Sequence, residues 1–279
     1  VLFGGAAGGG KSEALLRGAA EYADVPGYSA LLLRRTYKEL SKSGALMDRA
    51  FKWFANTDAK WDGENHAWRF PYKGDYRAGA TIAFGYLERE QDLLQYQSAE
   101  YQYIGFDELT QFPEEIYTYM FSRIRRPKNL PDAVAKALAN VPLRLRGATN
   151  PGGPGHIWVK KRFNLPYGPK DNPERAFVFS RLEDNPHLDI DSYEKSFEQL
   201  SAITYAQLRE GNWDAQVRGG RFNAEWFTPI GPSEVPDINL RLRYWDLAAS
   251  EPSELDPDPD WTAGVKMARS NYPPARYAD

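Results

Sequence analysis

Gly5-Ala6-Ala7-Gly8-Gly9-Gly10-Lys11-Ser12 stands between a short apolar run, Val1-Leu2-Phe3, and a stretch of helical character from Glu13 to Ala23. Glycine, four residues, then Gly-Lys-Ser is the pattern of a phosphate-binding loop, and it carries meaning only between a strand and a helix, which is its setting here. Main-chain N–H groups can wrap a polyphosphate only where no Cβ intervenes, and Gly5, Gly8, Gly9 and Gly10 remove that obstacle. The helix opening near Lys11 adds free N–H groups and a partial positive charge. Lys11 is then expected on the β and γ phosphates of a nucleotide, and the Ser12 hydroxyl on Mg2+.

A second stretch, Tyr101-Gln-Tyr-Ile-Gly-Phe106-Asp107-Glu108, has the pattern of a buried strand ending in two acids. In a parallel α/β sheet, ligands gather at the carboxyl ends of strands, which brings both carboxylates towards the loop's phosphates. Asp107 is expected to hold Mg2+ through its water shell, and Glu108 to orient or deprotonate an attacking water. Taken singly, each has a plain alternative: a glycine turn before Lys-Ser, or a strand whose end reaches the surface. Together they favour a nucleotide hydrolase. A third strand, Leu143-Arg-Leu-Arg-Gly-Ala-Thr149-Asn150, runs into Pro151-Gly152-Gly153-Pro154-Gly155. Two readings of Thr149 and Asn150 stand side by side, contact with the γ phosphate or catalytic water, and a strand end followed by a turn.

Elsewhere, Ser29 to Arg34 reads as a buried strand and residues 37–55 as one helix with Leu40, Met47, Phe51 and Phe54 on its apolar face. Residues 61–86 change to short β-like pieces, His66–Phe70 and Ala80–Phe84, expected as a hairpin-like insertion beside the main sheet. His66 has no ligand partner nearby and reads as structural rather than metal-binding. Residues 171–215 continue the α/β domain into helices with Tyr193, Phe197 and Leu200 at helical spacing, and Val217 to Pro236 is punctuated by Gly and Pro like a linker.

With 279 residues, 42% hydrophobic and 14% aromatic, the chain suits one large α/β domain and a piece of another. It opens on a strand without an initiator Met and is expected to be a piece of a longer protein. No window is long and apolar enough to cross a bilayer and no signal peptide opens the chain, so a soluble, intracellular protein is expected. Zero Cys excludes a disulfide framework and thiolate metal sites. The net charge of −3, from 35 basic against 38 acidic residues, gives no whole-molecule field for nucleic acid. A nucleic-acid role needs a local basic face, and Arg34-Arg35, Arg123 to Arg126 and Lys160 to Arg162 are the clusters present, each of which also reads as solvated surface.

The phosphate loop, Leu32-Leu-Arg34-Arg35, Ile104-Gly-Phe-Asp-Glu-Leu-Thr110, Ser122-Arg-Ile-Arg125, Thr149 to Lys160, Asp184-Asn-Pro-His-Leu188 and Gly211-Asn212-Trp213 occur in this order. The ordered set resembles the large terminase subunit of tailed double-stranded DNA bacteriophages. That resemblance implies a P-loop ATPase domain of the additional-strand, catalytic-glutamate class with a mostly parallel sheet over 1–215. A linker over 216–236 and the start of a ribonuclease-H-like nuclease domain over 237–279 would follow. It also implies ATP and Mg2+ as cofactors, and Thr149-Asn150 as the coupling motif. Leu242 to Ala249 resembles the first nuclease strand, with Asp246 as a metal ligand and Asp260 as a second, while Asp256 and Asp258 also read as a solvated acidic loop. Two-metal nucleases need several carboxylates holding ions about 4 Å apart, so no nuclease activity is expected of this piece.

Implied partners are double-stranded DNA, the portal protein, the small terminase subunit and further copies of the chain in a ring. The isolated chain is expected to be a monomer, and the working location the host cytoplasm at the procapsid's portal vertex. The loop departs from many relatives in carrying Ala6 and Ala7 where they place an Arg. Gln95, Gln97 and Ser98 stand before the acidic strand, where some relatives have a trans-acting Arg. Arg123 and Arg125 are the candidates for an arginine finger, followed by Arg35 and Arg89, and any of them also reads as an ion-paired surface residue. The competing functions are a helicase-like or recombinase-like P-loop ATPase and a non-catalytic nucleotide-binding module.

Overall fold

The structure is a computed structural model that describes residues 1–170, 172–215, 238–246 and 263–270. The chain divides into two units, Val1–Val217 and Arg218–Asp279.

The first unit is built on an eight-stranded sheet, and its strands in chain order begin with β1 (Leu2–Gly5) and β2 (Ser29–Arg34). Three follow from the segment expected to be a hairpin: β3 (Lys60–Asp62), β4 (Ala67–Arg69) and β5 (Thr81–Tyr86). The last are β6 (Tyr103–Asp107), β7 (Arg144–Thr149) and β8 (Phe177–Ser180). Across the sheet the order is β3-β4-β5-β2-β6-β7-β1-β8, parallel from β5 to β8 and antiparallel at β3 and β4. The expected insertion beside the sheet is therefore corrected. β5 pairs with β2 along its whole length and belongs to the sheet, because Ile82 and Phe84 alternate into the core as Ala30 and Leu32 do.

Burial on both faces explains why the parallel strands read as apolar runs. Leu32 points into one core with Leu15, Leu16, Ile82 and Tyr103. Leu31 and Leu33 point into the other, with Ile104, Phe106, Phe112 and Val159. Helix α1 (Lys11–Ala20) crosses β6 and β7 on its way from β1 to β2, and Tyr103 Oη donates to Leu15 O at 3.0 Å beneath it.

The single helix expected over 37–55 is two, α2 (Tyr37–Leu40) and α3 (Leu46–Phe54). The break falls at Ser41 to Ala45, where Gly44 adopts φ 76°, a left-handed conformation that ends helical progression. Helices α4 (Glu114–Phe121), α5 (Asp132–Ala139) and α6 (His156–Phe163) follow β6 and β7, and α7 (Ile190–Lys195) and α8 (Ala202–Leu208) follow β8. The second unit contains an antiparallel pair, β9 (Ile238–Asp246) and β10 (Ala263–Ser270). Among the described residues, no helix is long and apolar enough to cross a membrane. The expected linker over 216–236 lies outside the described residues.

Candidate nucleotide-binding site

Strand order puts the ends of β1, β7, β6 and β2 side by side on one edge of the sheet. Register does the rest: Gly4 pairs with Thr149, Asp107 with Ala148, and Leu33 with Phe106, so Arg34 stands next to Asp107. The loop from Gly5 to Ser12 emerges at this edge around an open cavity of about 340 Å3.

Its outward polar groups are tied down. The Ala6 and Ala7 N–H groups donate to Ser180 O (2.8 Å) and Leu208 O (2.7 Å). The Gly8 and Gly9 carbonyls accept from Asn185 Nδ2 and Ser180 Oγ, each at 2.7 Å. Among the described residues the N–H groups of Gly8, Gly9 and Gly10 have no protein acceptor, and these glycines line the cavity. Such a nest of free donors at the start of a ten-residue helix fits an anionic oxygen cluster.

Lys11 is buried, with Nζ donating to Ala6 O. Burial lowers its pKa to about 8, against the pull of Glu108 and Asp107. Ser12 Oγ donates to Asp107 Oδ1 at 2.7 Å, and the Arg34 guanidinium donates to Asp107 Oδ2. Arg34 lies 3.6 Å from Glu39 as well. Burial works against the charge on Arg34, but Asp107 and Glu108 outweigh it and raise its pKa above the ordinary value. Glu108 adopts φ 55°, an uncommon conformation for a side-chain-bearing residue that aims its carboxylate into the cavity. Burial first, and then the Asp107 charge, raise its pKa, with Arg34 and Lys11 opposing. This donor set, a hydroxyl and a carboxylate in contact beside a second carboxylate, fits a divalent cation.

The site residues expected from sequence divide by position. Gly8, Gly9, Gly10, Lys11, Ser12, Glu108 and Asn150 share the cavity wall. Gly5 and Asp107 sit behind it. Thr149 turns away, with Oγ1 2.7 Å from Thr110 Oγ1 and accepting from Thr110 N at 3.2 Å, while Asn150 Oδ1 is buried without a partner. Arg123 and Arg125 lie at the far end of β6, where their backbone pairs with Tyr101; Arg123 donates to Gln97 O and Arg125 is 2.9 Å from Glu100. Neither lines this chain's cavity, and neither do Arg35, which donates to Leu87 O at 3.0 Å, or Arg89. His66 accepts or donates at Nδ1 to Tyr37 Oη, 3.1 Å away, as a structural residue does. Asp246 closes β9, Asp260 lies outside the described residues, and no cluster of metal-ligating side chains occurs among the described residues.

Sequence reading missed Arg49, Asn185, Leu188 and Tyr193 on the cavity wall. Asn185 and Leu188 figure in the sequence only as part of an ordered motif, and Tyr193 only as an aromatic at helical spacing. Nothing in the spacing of Arg49 marks it, since it reaches the loop only through the packing of α3 on α1.

A glycine-rich loop between a parallel strand and a helix, facing an acid at the end of a nearby parallel strand, defines an α/β domain of the phosphate-loop class. Residues 2–128 match the family described as terminase large subunit, T4-like virus type, N-terminal. In fold it is similar to the large terminase of a thermophilic bacteriophage, with 16% identity and a TM-score of 0.58 over 76% of this chain and 48% of that one. A structure of that protein in complex with ADP aligns over 97% of this chain and 60% of that one, again at 16% identity, with a TM-score of 0.57. The ATPase domain of the Thermus phage P74-26 large terminase aligns at 14% identity and a TM-score of 0.50, over 76% of this chain and 87% of that domain. The chain thus spans about half the length of the first of these relatives. No curated protein matches it.

Proposed function

We propose that this chain is the ATP-hydrolysing part of a phage DNA-packaging motor subunit. The observation that carries the reading is the Ser12–Asp107 contact, at 2.7 Å, beside a buried Lys11 and the cavity-facing Glu108. Free N–H groups of Gly8 to Gly10 and the Lys11 ammonium bind the phosphates. Ser12 and Asp107 would hold Mg2+, which when bound neutralises charge developing on the phosphates. Glu108, its proton affinity raised by burial, orients the attacking water and receives its proton. Arg34 donates to the other Asp107 oxygen and holds that carboxylate in place.

The family match supports the larger role, in which turnover moves double-stranded DNA through a portal with the small subunit and neighbouring copies as partners, at the procapsid in the infected cell. Arg123 and Arg125, at the end of β6 away from their own loop, would serve a neighbour's site in such a ring. The domain arrangement retained in this proposal is an ATPase over 1–215 and a nuclease beginning at 237. The antiparallel β9–β10 pair, with Asp246 at a strand end, supports the latter.

The test is Mg2+-dependent ATP turnover by the chain beside Lys11→Ala and Glu108→Gln, with ATP binding followed in parallel. Lys11→Ala is expected to lose binding, and Glu108→Gln to bind and not turn over. Equal turnover by Glu108→Gln and the parent would sink the catalytic assignment.

A further inference from the structure

Arg49 enters the nucleotide cavity from α3, on an element remote in sequence from both acidic and glycine-rich motifs. Its Nε donates to Gly44 O at 2.8 Å, anchoring the guanidinium to the turn that separates α2 from α3. Its Nη1 donates to Glu13 Oε2, also at 2.8 Å, and Glu13 directly follows Ser12 on the first turn of α1. A guanidinium has five N–H donors in a fixed plane, so these two bonds leave three for a ligand.

The charges around the cavity make those donors matter. Its wall carries two cations, Lys11 and Arg49, and two carboxylates, Glu13 and Glu108. A polyphosphate brings several negative charges into that balanced ring, and the Glu13 carboxylate opposes it. Arg49 is the group able to change partners, because the pair is substantially exposed, at 41% and 38% of the side-chain surface, and such pairs are held weakly. Arg49 and Glu13 lie on the helix side of the loop, whereas Glu108 and Asn150 lie at the strand ends where water would attack.

We infer that Arg49 is a phosphate-binding residue of this site: it leaves Glu13 for the phosphate chain of a bound nucleoside di- or triphosphate and serves affinity rather than turnover. The inference rests on the nucleotide-binding reading above. Charge-assisted contacts between guanidinium and phosphate are strong, and Lys in this place would keep the charge but lose the fork.

The experiment measures ADP and non-hydrolysable ATP analogue binding to the full chain, its Arg49→Ala, Arg49→Lys and Glu13→Gln variants, and Lys11→Ala as the binding-deficient control, with kcat from ATP turnover and a thermal melt for each. Arg49→Ala is expected to raise both Kd values about tenfold with kcat within about threefold of the parent. Arg49→Lys should fall between them, and Glu13→Gln should bind at least as tightly as the parent. Unchanged Kd values in a folded Arg49→Ala, or a collapse of kcat at unchanged Kd, overturn the inference while the nucleotide-binding reading stands. A parent that binds neither nucleotide, matching Lys11→Ala, overturns both.

Discussion

Ser12 Oγ and Asp107 Oδ1, 2.7 Å apart, join the end of the phosphate loop to the end of β6 across the intervening strand β7. Asp107 accepts from Arg34 on its other oxygen and is almost wholly buried, with 3% of its side chain exposed. Replacing Asp107 by Asn therefore does two things. It removes the carboxylate that would hold Mg2+, and it leaves Arg34 facing a neutral amide, at a cost of about 1–3 kcal/mol. Titrating Mg2+ against nucleotide binding and turnover should show the cation's benefit lost in Asp107→Asn, with a lower denaturant midpoint. Undiminished stimulation by Mg2+ would place the cation elsewhere.

Two adjacent glycines should respond differently to the same change. A Cβ on Gly9 would fall 2.1 Å from Ser180 Oγ and 2.6 Å from Arg181 O, so Gly9→Ala must part the loop from β8. A Cβ on Gly10 meets nothing within 4 Å, and its only penalty is the left-handed φ of 78°, about 1–2 kcal/mol. Overpacking against fixed backbone costs up to about 3 kcal/mol. Urea unfolding should rank Gly9→Ala below Gly10→Ala, with nucleotide binding lost in the former first. The reverse order would contradict the steric account.

Thr110 and Thr149 link the segment after β6 to the end of β7 through a fully buried hydroxyl pair. Thr149→Val removes the acceptor of the Thr110 N–H and the closer partner of its hydroxyl, which keeps only Asn150 O at 3.5 Å, for an expected loss of about 1–3 kcal/mol. Adding Thr110→Val should restore the hydroxyl's share but not that of the N–H. A double-mutant cycle with zero coupling energy would mean that the two strand ends are held independently.

Much of this arrangement was legible because strands buried on both faces announce themselves as apolar runs, and because the loop's glycines and the paired acids are local patterns. Ser29 to Arg34 and Tyr103 to Asp107 are of this kind. What stayed hidden depends on packing between distant segments. β5 reads like a hairpin strand until its partner is known, and Arg34 reads like surface charge until the β2–β6 register sets it against Asp107. Thr149 was placed at the strand end, as it is, but which way its hydroxyl turns is decided by Thr110, many residues earlier. Residues 37–55 read as one helix because Leu40, Met47 and Phe54 keep helical spacing across the break at Gly44, whose left-handed φ only the structure shows.

Lys11 gives a pH dependence whose sign differs between stability and binding. Burial lowers its pKa from 10.5 to about 8 in the folded chain. Between those values the unfolded chain holds a proton that the folded chain has released, so unfolding free energy should rise with pH across that window. Nucleotide affinity runs the other way. Phosphate attracts the ammonium and not the neutral amine, so above pH 8 a proton must be taken up on binding, and affinity should fall by up to tenfold per pH unit. Fluorescent nucleotide titrations from pH 7 to 10, with Lys11→Arg alongside, separate this from general alkaline effects, since a guanidinium stays charged throughout. The parent is expected to lose affinity progressively and Lys11→Arg to remain flat from whatever starting value it has. Parallel slopes in the two proteins would show that Lys11 keeps its proton in the empty site, and that the phosphates meet a charge already in place at every pH tested.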